Sequence, residues 1–217
     1  MFRDRLDAGE TLARRLTEFA GRNDAIVLAL PRGGVPVGYE VARQLHLPLD
    51  VFVVRKLGAP GQPELAMGAI ASGGVRVVNR EVVDAMGIPE WSVEQVAQQE
   101  QAELERRERQ YRGERPPLET RGKTVILVDD GLATGSSMRA AAAALRRQGA
   151  ARIVVAVPVA ARATCDQLRA EGNEVVCATT PEPFFAVGQW YQDFSQTSDE
   201  EVRELLERAG KELKIVD

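Results

Sequence analysis

The sequence predicts an α/β protein: a parallel sheet with helices on both faces and a helical insertion at about residues 80–117. Three observations predict it. Five short apolar runs, at 26–30, 51–54, 125–128, 153–157 and 175–178, show no polar alternation, which is how strands buried on both faces read. Stretches of helical spacing separate most of them, and alternating strands and helices make a parallel sheet. Three runs end in unusual polar loops, Pro31-Arg32-Gly33-Gly34, Arg55-Lys56 and 129–137, and ligands of such sheets collect beyond the carboxyl ends of the strands.

Composition narrows the classes. At 217 residues and 44% hydrophobic, the chain is expected to form a single domain over 1–217 with a sizeable core. Lys+Arg 28 against Asp+Glu 32 gives a net charge of −4, so a general nucleic-acid-binding surface is disfavoured and any polyanion site must be local. The single histidine, His46, excludes a multi-histidine metal centre. Cys165 and Cys177 lack metal-ligand spacing and are expected as reduced core residues. The start, Met1-Phe2-Arg3-Asp4-Arg5, carries no apolar signal region, and no stretch approaches ~18 uninterrupted apolar residues. A cytoplasmic location with no membrane partner is therefore expected.

In chain order, residues 7–20 have amphipathic helical spacing, with Asp7 and Glu10 as a capping pair and Gly21 as a stop. The run at 26–30 breaks at Pro31, and 35–45 return to helical spacing. After 51–54 comes a Gly/Pro-rich stretch expected as a loop over 57–63, because Pro60 and Pro63 keep it from joining a sheet. Residues 67–71 and 75–78 flank Ser72-Gly73-Gly74 as a hairpin. Ser92 with Gln95 opens a long helix reaching about Arg112, with a thin apolar stripe of Val93, Val96, Leu104 and Tyr111, and Arg115-Pro116-Pro117 ends it. Arg106, Arg107, Arg109, Arg112 and Arg115 lie there among Glu103, Glu105, Glu108 and Glu114. They read as a solvated helix laced by i,i+4 pairs, with a homodimer contact or an acceptor cover as the alternative. Helices at 136–148 and 161–170, and a final one capped by Ser198 and Glu201 and ending at Ala209, complete the order.

Residues 125–137 read Val-Ile-Leu-Val-Asp-Asp-Gly-Leu-Ala-Thr-Gly-Ser-Ser. Two carboxylates, Asp129 and Asp130, at the end of a buried strand repel each other and lose solvation, an arrangement that suits a cation or sugar hydroxyls. The loop then opens directly into a helix. Its N–H groups, the hydroxyls of Thr134, Ser136 and Ser137, and the helix dipole suit a phosphate monoester. The alternative is an ordinary strand-turn-helix with capping hydroxyls and solvated aspartates. A Walker A loop is excluded, since Ser136-Ser137 rather than Gly-Lys follows Gly135.

Four apolar residues, two acidic ones and a Thr-Gly-Ser loop resemble the phosphoribosyl-pyrophosphate motif of type I phosphoribosyltransferases. The resemblance implies the parallel-sheet type I phosphoribosyltransferase fold. It implies that Asp129 and Asp130 hold the ribose 2- and 3-hydroxyls and, directly or through water, Mg2+, and that Ala133, Thr134, Gly135, Ser136 and Ser137 cradle the 5-phosphate. Arg32-Gly33-Gly34 resembles the family's pyrophosphate loop, Arg55-Lys56 the Arg-Lys of adenine members, and 57–64 the flexible lid. The implied activity is magnesium-dependent transfer of 5-phosphoribosyl from phosphoribosyl pyrophosphate to a nucleobase-like acceptor, in nucleotide salvage or nucleoside metabolism. Arg32, Lys56, Asp129 and Asp130 are the expected catalytic residues, with Arg55 also on the leaving pyrophosphate. Trp190 and Tyr191, with Phe184 and Phe185, either stack on the acceptor or pack the last helix. Ala133 stands where hypoxanthine-guanine members carry Asp, which argues against that subclass. The alternatives are an RNA- or nucleotide-responsive regulator on the same fold and a phosphoribosyl-pyrophosphate hydrolase.

Overall fold

A computed structural model describes residues 1–212. In chain order the elements are α1 (Arg5–Ala13), β1 (Ala25–Ala29), α2 (Gly34–Leu45), β2 (Leu49–Val51), β3 (Val54–Ala59), β4 (Gln62–Ala71), β5 (Val75–Val78), α3 (Arg80–Ala85), α4 (Glu90–Arg112), β6 (Thr124–Val128), α5 (Ser136–Gln148), β7 (Arg152–Val159), α6 (Arg162–Ala170), β8 (Glu174–Thr179) and α7 (Asp199–Glu212). Five strands form an all-parallel sheet in the order β2-β1-β6-β7-β8. Every residue of β1 and β6 is buried, because successive side chains enter opposite cores. Val27, Ala29, Ile126 and Val128 face α1, α2 and α7. Ile26, Leu28, Val125 and Leu127 face α5 and α6 through Met138, Leu145 and Leu168.

Several local expectations are corrected. Helix α1 starts at Arg5, where the Asp4 carboxylate accepts the Asp7 N–H at 2.9 Å. Asp7 is not the cap, because its own carboxylate accepts the Arg3 N–H at 3.0 Å. The helix also stops early, at Ala13, and a 3-10 turn at Thr17–Phe19 follows. The run 51–54 is not one strand. Phe52 makes the last link to the parallel sheet, through Ala29 O at 2.9 Å, and the Val53 N–H goes instead to Ser72 Oγ at 2.8 Å. That capture turns the chain into a second sheet.

Residues 57–63 are the largest departure. They are not a loop but the far half of a hairpin, in a three-stranded antiparallel sheet of order β3-β4-β5. The pairing shifts at Gly58, which faces Ala66, while Ala59 faces Gln62. This irregularity leaves residues 63–65 without partners in the ladder, so Pro63 withholds no needed donor. Gly58 allows the crossing, since a Cβ there would lie 2.6 Å from Pro63 O.

Helix α4 buries Val93, Ala97, Leu104 and Tyr111 as a thin stripe. Its C-terminal arginines are not all solvated. Arg112 is 8% exposed and bonds Asp50 at 3.0 Å, and Arg115 beyond the helix donates to Leu206 O at 2.9 Å. Arg107 and Arg109 do form the expected i,i+4 pairs, and Arg106 forms an i,i+3 pair with Glu103. Helix α7 is capped as predicted, Ser198 Oγ accepting the Glu201 N–H at 3.1 Å, but continues to Glu212. Both cysteines are free thiols; Cys165 is buried and Cys177 only half-buried. Among the described residues no helix is long and apolar enough to cross a membrane.

Candidate functional site

The parallel pairing of Ala29 with Val128 starts the loops after β1 and β6 side by side, and Leu30 N–H donates to Val128 O at 2.9 Å. The two loops then lie almost in contact. A Cβ on Gly33 would fall 2.1 Å from Asp130 Oδ2, and one on Gly34 would fall 2.8 Å from Val128 O and 3.0 Å from the Asp129 Cα. Only glycine lets the Arg32 loop rest on the acidic pair. The Pro31–Arg32 peptide is cis.

Asp129 and Asp130 are half-buried at the floor of this junction. The Asp129 carboxylate accepts the Asp130 N–H at 2.8 Å. Desolvation, then the neighbouring Asp130 charge, hold the Asp129 carboxyl well above the usual carboxylate range. Desolvation raises Asp130 as well, against an ion pair in which Arg5 Nε donates to Oδ2 at 2.8 Å. Arg5 was not picked out from the sequence. It lies 125 positions away and belongs to no motif; the one available signal is that adjacent buried carboxylates call for a cation. Its guanidinium also donates to Ser195 O at 2.7 Å and sits 4.0 Å over the Phe194 ring.

The loop after Asp130 turns at Leu132, which bridges to Ala160, and exposes Ala133, Thr134, Ser136 and Ser137. Gly135 sits at φ 69° and heads α5, where no side chain caps the first turn. The leading N–H groups of that helix therefore point out beyond the strand ends, with the positive end of its dipole. Thr164 Oγ1 donates to Ala133 O and ties the loop to α6. A cavity of about 410 Å³ separates this turn from the hairpin, with Ser136 and Ser137 on one wall and Lys56 and Gly68 on the other.

The predicted cations are all engaged. Arg32 Nη1 stands 3.7 Å from Asp199 Oδ1, Arg55 Nε donates to Glu100 at 2.7 Å, and Lys56 Nζ reaches Glu64 O at 3.1 Å and Oε2 at 3.3 Å. Ion pairs this open are worth ~0–1 kcal/mol, so a multiply charged anion can replace the carboxylates. Arg32, Gly33, Gly34, Asp129 and Asp130 thus come together, with Lys56 across a cavity from Ser136 and Ser137. Arg55 turns away to α4.

Tyr191 is 5% exposed, its ring held between Phe2 (5.5 Å) and Phe194 (5.0 Å). Its hydroxyl donates to Asp130 O, and burial pushes the phenol upward. In this arrangement Tyr191 buttresses the acidic pair rather than presenting a stacking face. Trp190 is half-buried beside it, and Phe185 is 74% exposed. No group of three or more His, Cys, Asp or Glu side chains among the described residues forms a metal cage.

A family model described as phosphoribosyl transferase domain matches residues 3–192. Two Mycobacterium tuberculosis proteins, from strains H37Rv and CDC 1551, bear a provisional phosphoribosyl transferase name and are each 46% identical over 212 residues. That match takes in 98% of this chain but 48% of theirs, so the chain spans about half their length. The crystal structure of TT1426 from Thermus thermophilus is 44% identical, with a TM-score of 0.85 over 95% of this chain and 97% of that one. A hypothetical protein from Neisseria gonorrhoeae, solved with bound ppGpp, shares the fold at 15% identity, with a TM-score of 0.50 over 96% of this chain and 98% of that one.

Proposed function

From the fact that this chain belongs to the phosphoribosyl transferase domain family, we propose that it transfers 5-phosphoribosyl from phosphoribosyl pyrophosphate to a nucleobase-like acceptor, releasing pyrophosphate. One observation carries the reading: the acidic pair lies between a glycine loop pressed onto it and an uncapped helix end beside it.

Each part has a task. The first turn of α5 and the hydroxyls of Thr134, Ser136 and Ser137 hold the 5-phosphate. Asp129 and Asp130 accept the ribose hydroxyls, with Arg5 giving up its hold on Asp130. Arg32 and Lys56 take the diphosphate as the C1–O bond breaks, and stabilise the charge that gathers there. An acceptor nitrogen forms the new bond to C1 and releases its proton. The sugar acquires oxocarbenium character between these events, and exclusion of water by the β3–β4 hairpin protects it.

Two adjacent carboxylates, with no third ligand grouped with them among the described residues, suit magnesium, which binds through one or two carboxylates, its own waters and substrate phosphates. Asp129 and Asp130 are the residues to hold it, and when bound it supplies positive charge against the leaving diphosphate.

The test is pyrophosphate release from phosphoribosyl pyrophosphate and magnesium, with adenine, guanine, xanthine, hypoxanthine, uracil or no base. Release that requires a base is the expected result. Equal release without base would replace the transferase by a hydrolase. No release, with salt-sensitive retention on RNA, would favour the regulator.

A further inference from the structure

Arg32 shares its surroundings with two arginines that the transferase reading leaves without a task. Together with Arg106 and Arg107 of α4 it lines a cavity of about 160 Å³, closed by Gln110, Tyr111 and Asp199. That volume is below the ~300–1,000 Å³ of pockets that hold whole ligands, so it suits one charged group of a larger molecule. Three arginines thus line one small cavity together with a carboxylate. Asp199 is held by Gln110 Nε2 at 2.8 Å, by the Tyr111 hydroxyl at 3.0 Å, and loosely by Arg32 at 3.7 Å.

Arg106 and Arg107 both donate to Glu103 on their own helix, at 2.7–2.9 Å, and together hold its carboxyl down at about 2. Charge pairing along a solvated helix accounts for those bonds. It does not account for their lining one cavity with the arginine of the glycine loop, since like charges brought together repel unless an anion joins them. Helix α4 presents two cations to this cavity beside the neutral Gln110 and Tyr111.

We propose that Arg106 and Arg107 extend the diphosphate receptor begun by Arg32, so that the inserted helix α4 forms a wall of the substrate site. Asp199 is then the resident anion that a phosphoryl group replaces at Arg32. The guanidinium fork matches phosphoryl oxygens in pairs, which gives the added arginines a geometric role as well as a charge. Asp199 keeps Gln110 and Tyr111 as partners when Arg32 leaves it, so the exchange strands no buried carboxylate. This inference rests on the transferase reading, and its test separates the two.

Calorimetric titrations with magnesium present use three probes: phosphoribosyl pyrophosphate, inorganic pyrophosphate, and ribose 5-phosphate, which lacks the diphosphate. The variants are Arg106→Ala/Arg107→Ala, Arg106→Lys/Arg107→Lys and Asp199→Asn. The alanine pair should bind both diphosphates about 10–100-fold more weakly, the loss of one or two charge-assisted hydrogen bonds, and ribose 5-phosphate unchanged. Both side chains are over a third exposed, so the melting curve should not move. The lysine pair should recover part of the loss, and Asp199→Asn should tighten pyrophosphate binding a few-fold. Unchanged pyrophosphate affinity in the alanine pair, or an equal loss for ribose 5-phosphate, overturns the inference and leaves the transferase reading standing. Failure of the unaltered protein to bind any of the three probes overturns both.

Discussion

At the scale of single residues, Asp129 and Asp130 are held at a cost to folding. Each is partly desolvated beside the other, and one cation, Arg5, answers them. A carboxyl whose ionised form is disfavoured in the fold destabilises that fold at neutral pH. Asp129→Asn should therefore melt no lower than the unaltered protein, and in Asp129→Asn/Asp130→Asn pyrophosphate release should fall by at least about 10²-fold. A lower melting temperature would make the pair structural, and unchanged turnover would remove it from the site. Arg5→Ala does the reverse. It breaks the Arg5–Asp130 pair, whose side chains are only 12% and 15% exposed, and leaves Asp130 facing Asp129 without compensation. The expected cost is about 2–4 kcal/mol in a urea titration, shrinking when Asp130→Asn is also present.

At the scale of elements, two attachments shape the site. Helix α4 is fastened by Arg112 to Asp50 of β2, both side chains 8% exposed, and Asp50 also accepts the Val51 and Leu118 N–H groups. Arg112→Ala strands that carboxylate, and chemical denaturation should show a loss of about 3–5 kcal/mol. A loss under about 1 kcal/mol would mean that α4 is held by its apolar stripe and its other polar contacts without help from Arg112. The β3–β4 hairpin is attached the other way, firmly at its base and hardly at its tip. Leu57 and Met67 are fully buried, whereas residues 60–65 are exposed and their pairing is broken. Amide exchange should be fast at 61–65 and slow at 67–71, and phosphoribosyl pyrophosphate should slow the tip as Lys56 moves to the diphosphate. Uniform protection without ligand would show a rigid arm rather than a closing one.

At the scale of the whole molecule, the parallel sheet sets the loops after β1 and β6 at one edge, and the antiparallel hairpin and α4 enclose that edge from the side. In the transferase proposed above, Ala133 beside this site is exposed and carries no acid or base. Hypoxanthine should accordingly react about 10²–10⁴-fold more slowly than the best base in the panel, the usual effect of a missing positioned proton carrier. Comparable rates for hypoxanthine would require another carboxylate at the base.

Arg55-Lys56, expected at a strand end, lies inside β3, but the sequence by itself determined the alternation of strands and helices, the polar loops after β1 and β6, and the start of α5 at Ser136. These are local properties: burial on both faces appears as an unbroken apolar run, and a helix start appears in the residues beside it. Its cap for α1 and its loop at 57–63 failed for a local reason too, since more than one conformation suited the same residues. Asp4 outcompeted Asp7, and a break in the ladder let Pro63 stay within a hairpin. Only the tertiary structure decided which charges meet. Asp130 took Arg5 from 125 positions away, Arg55 took Glu100, and Arg32 took Asp199 beside Arg106 and Arg107. Coulombic pairing depends on distance through space and leaves no period along the chain, so those partners exist only once the sheet has brought its edges together.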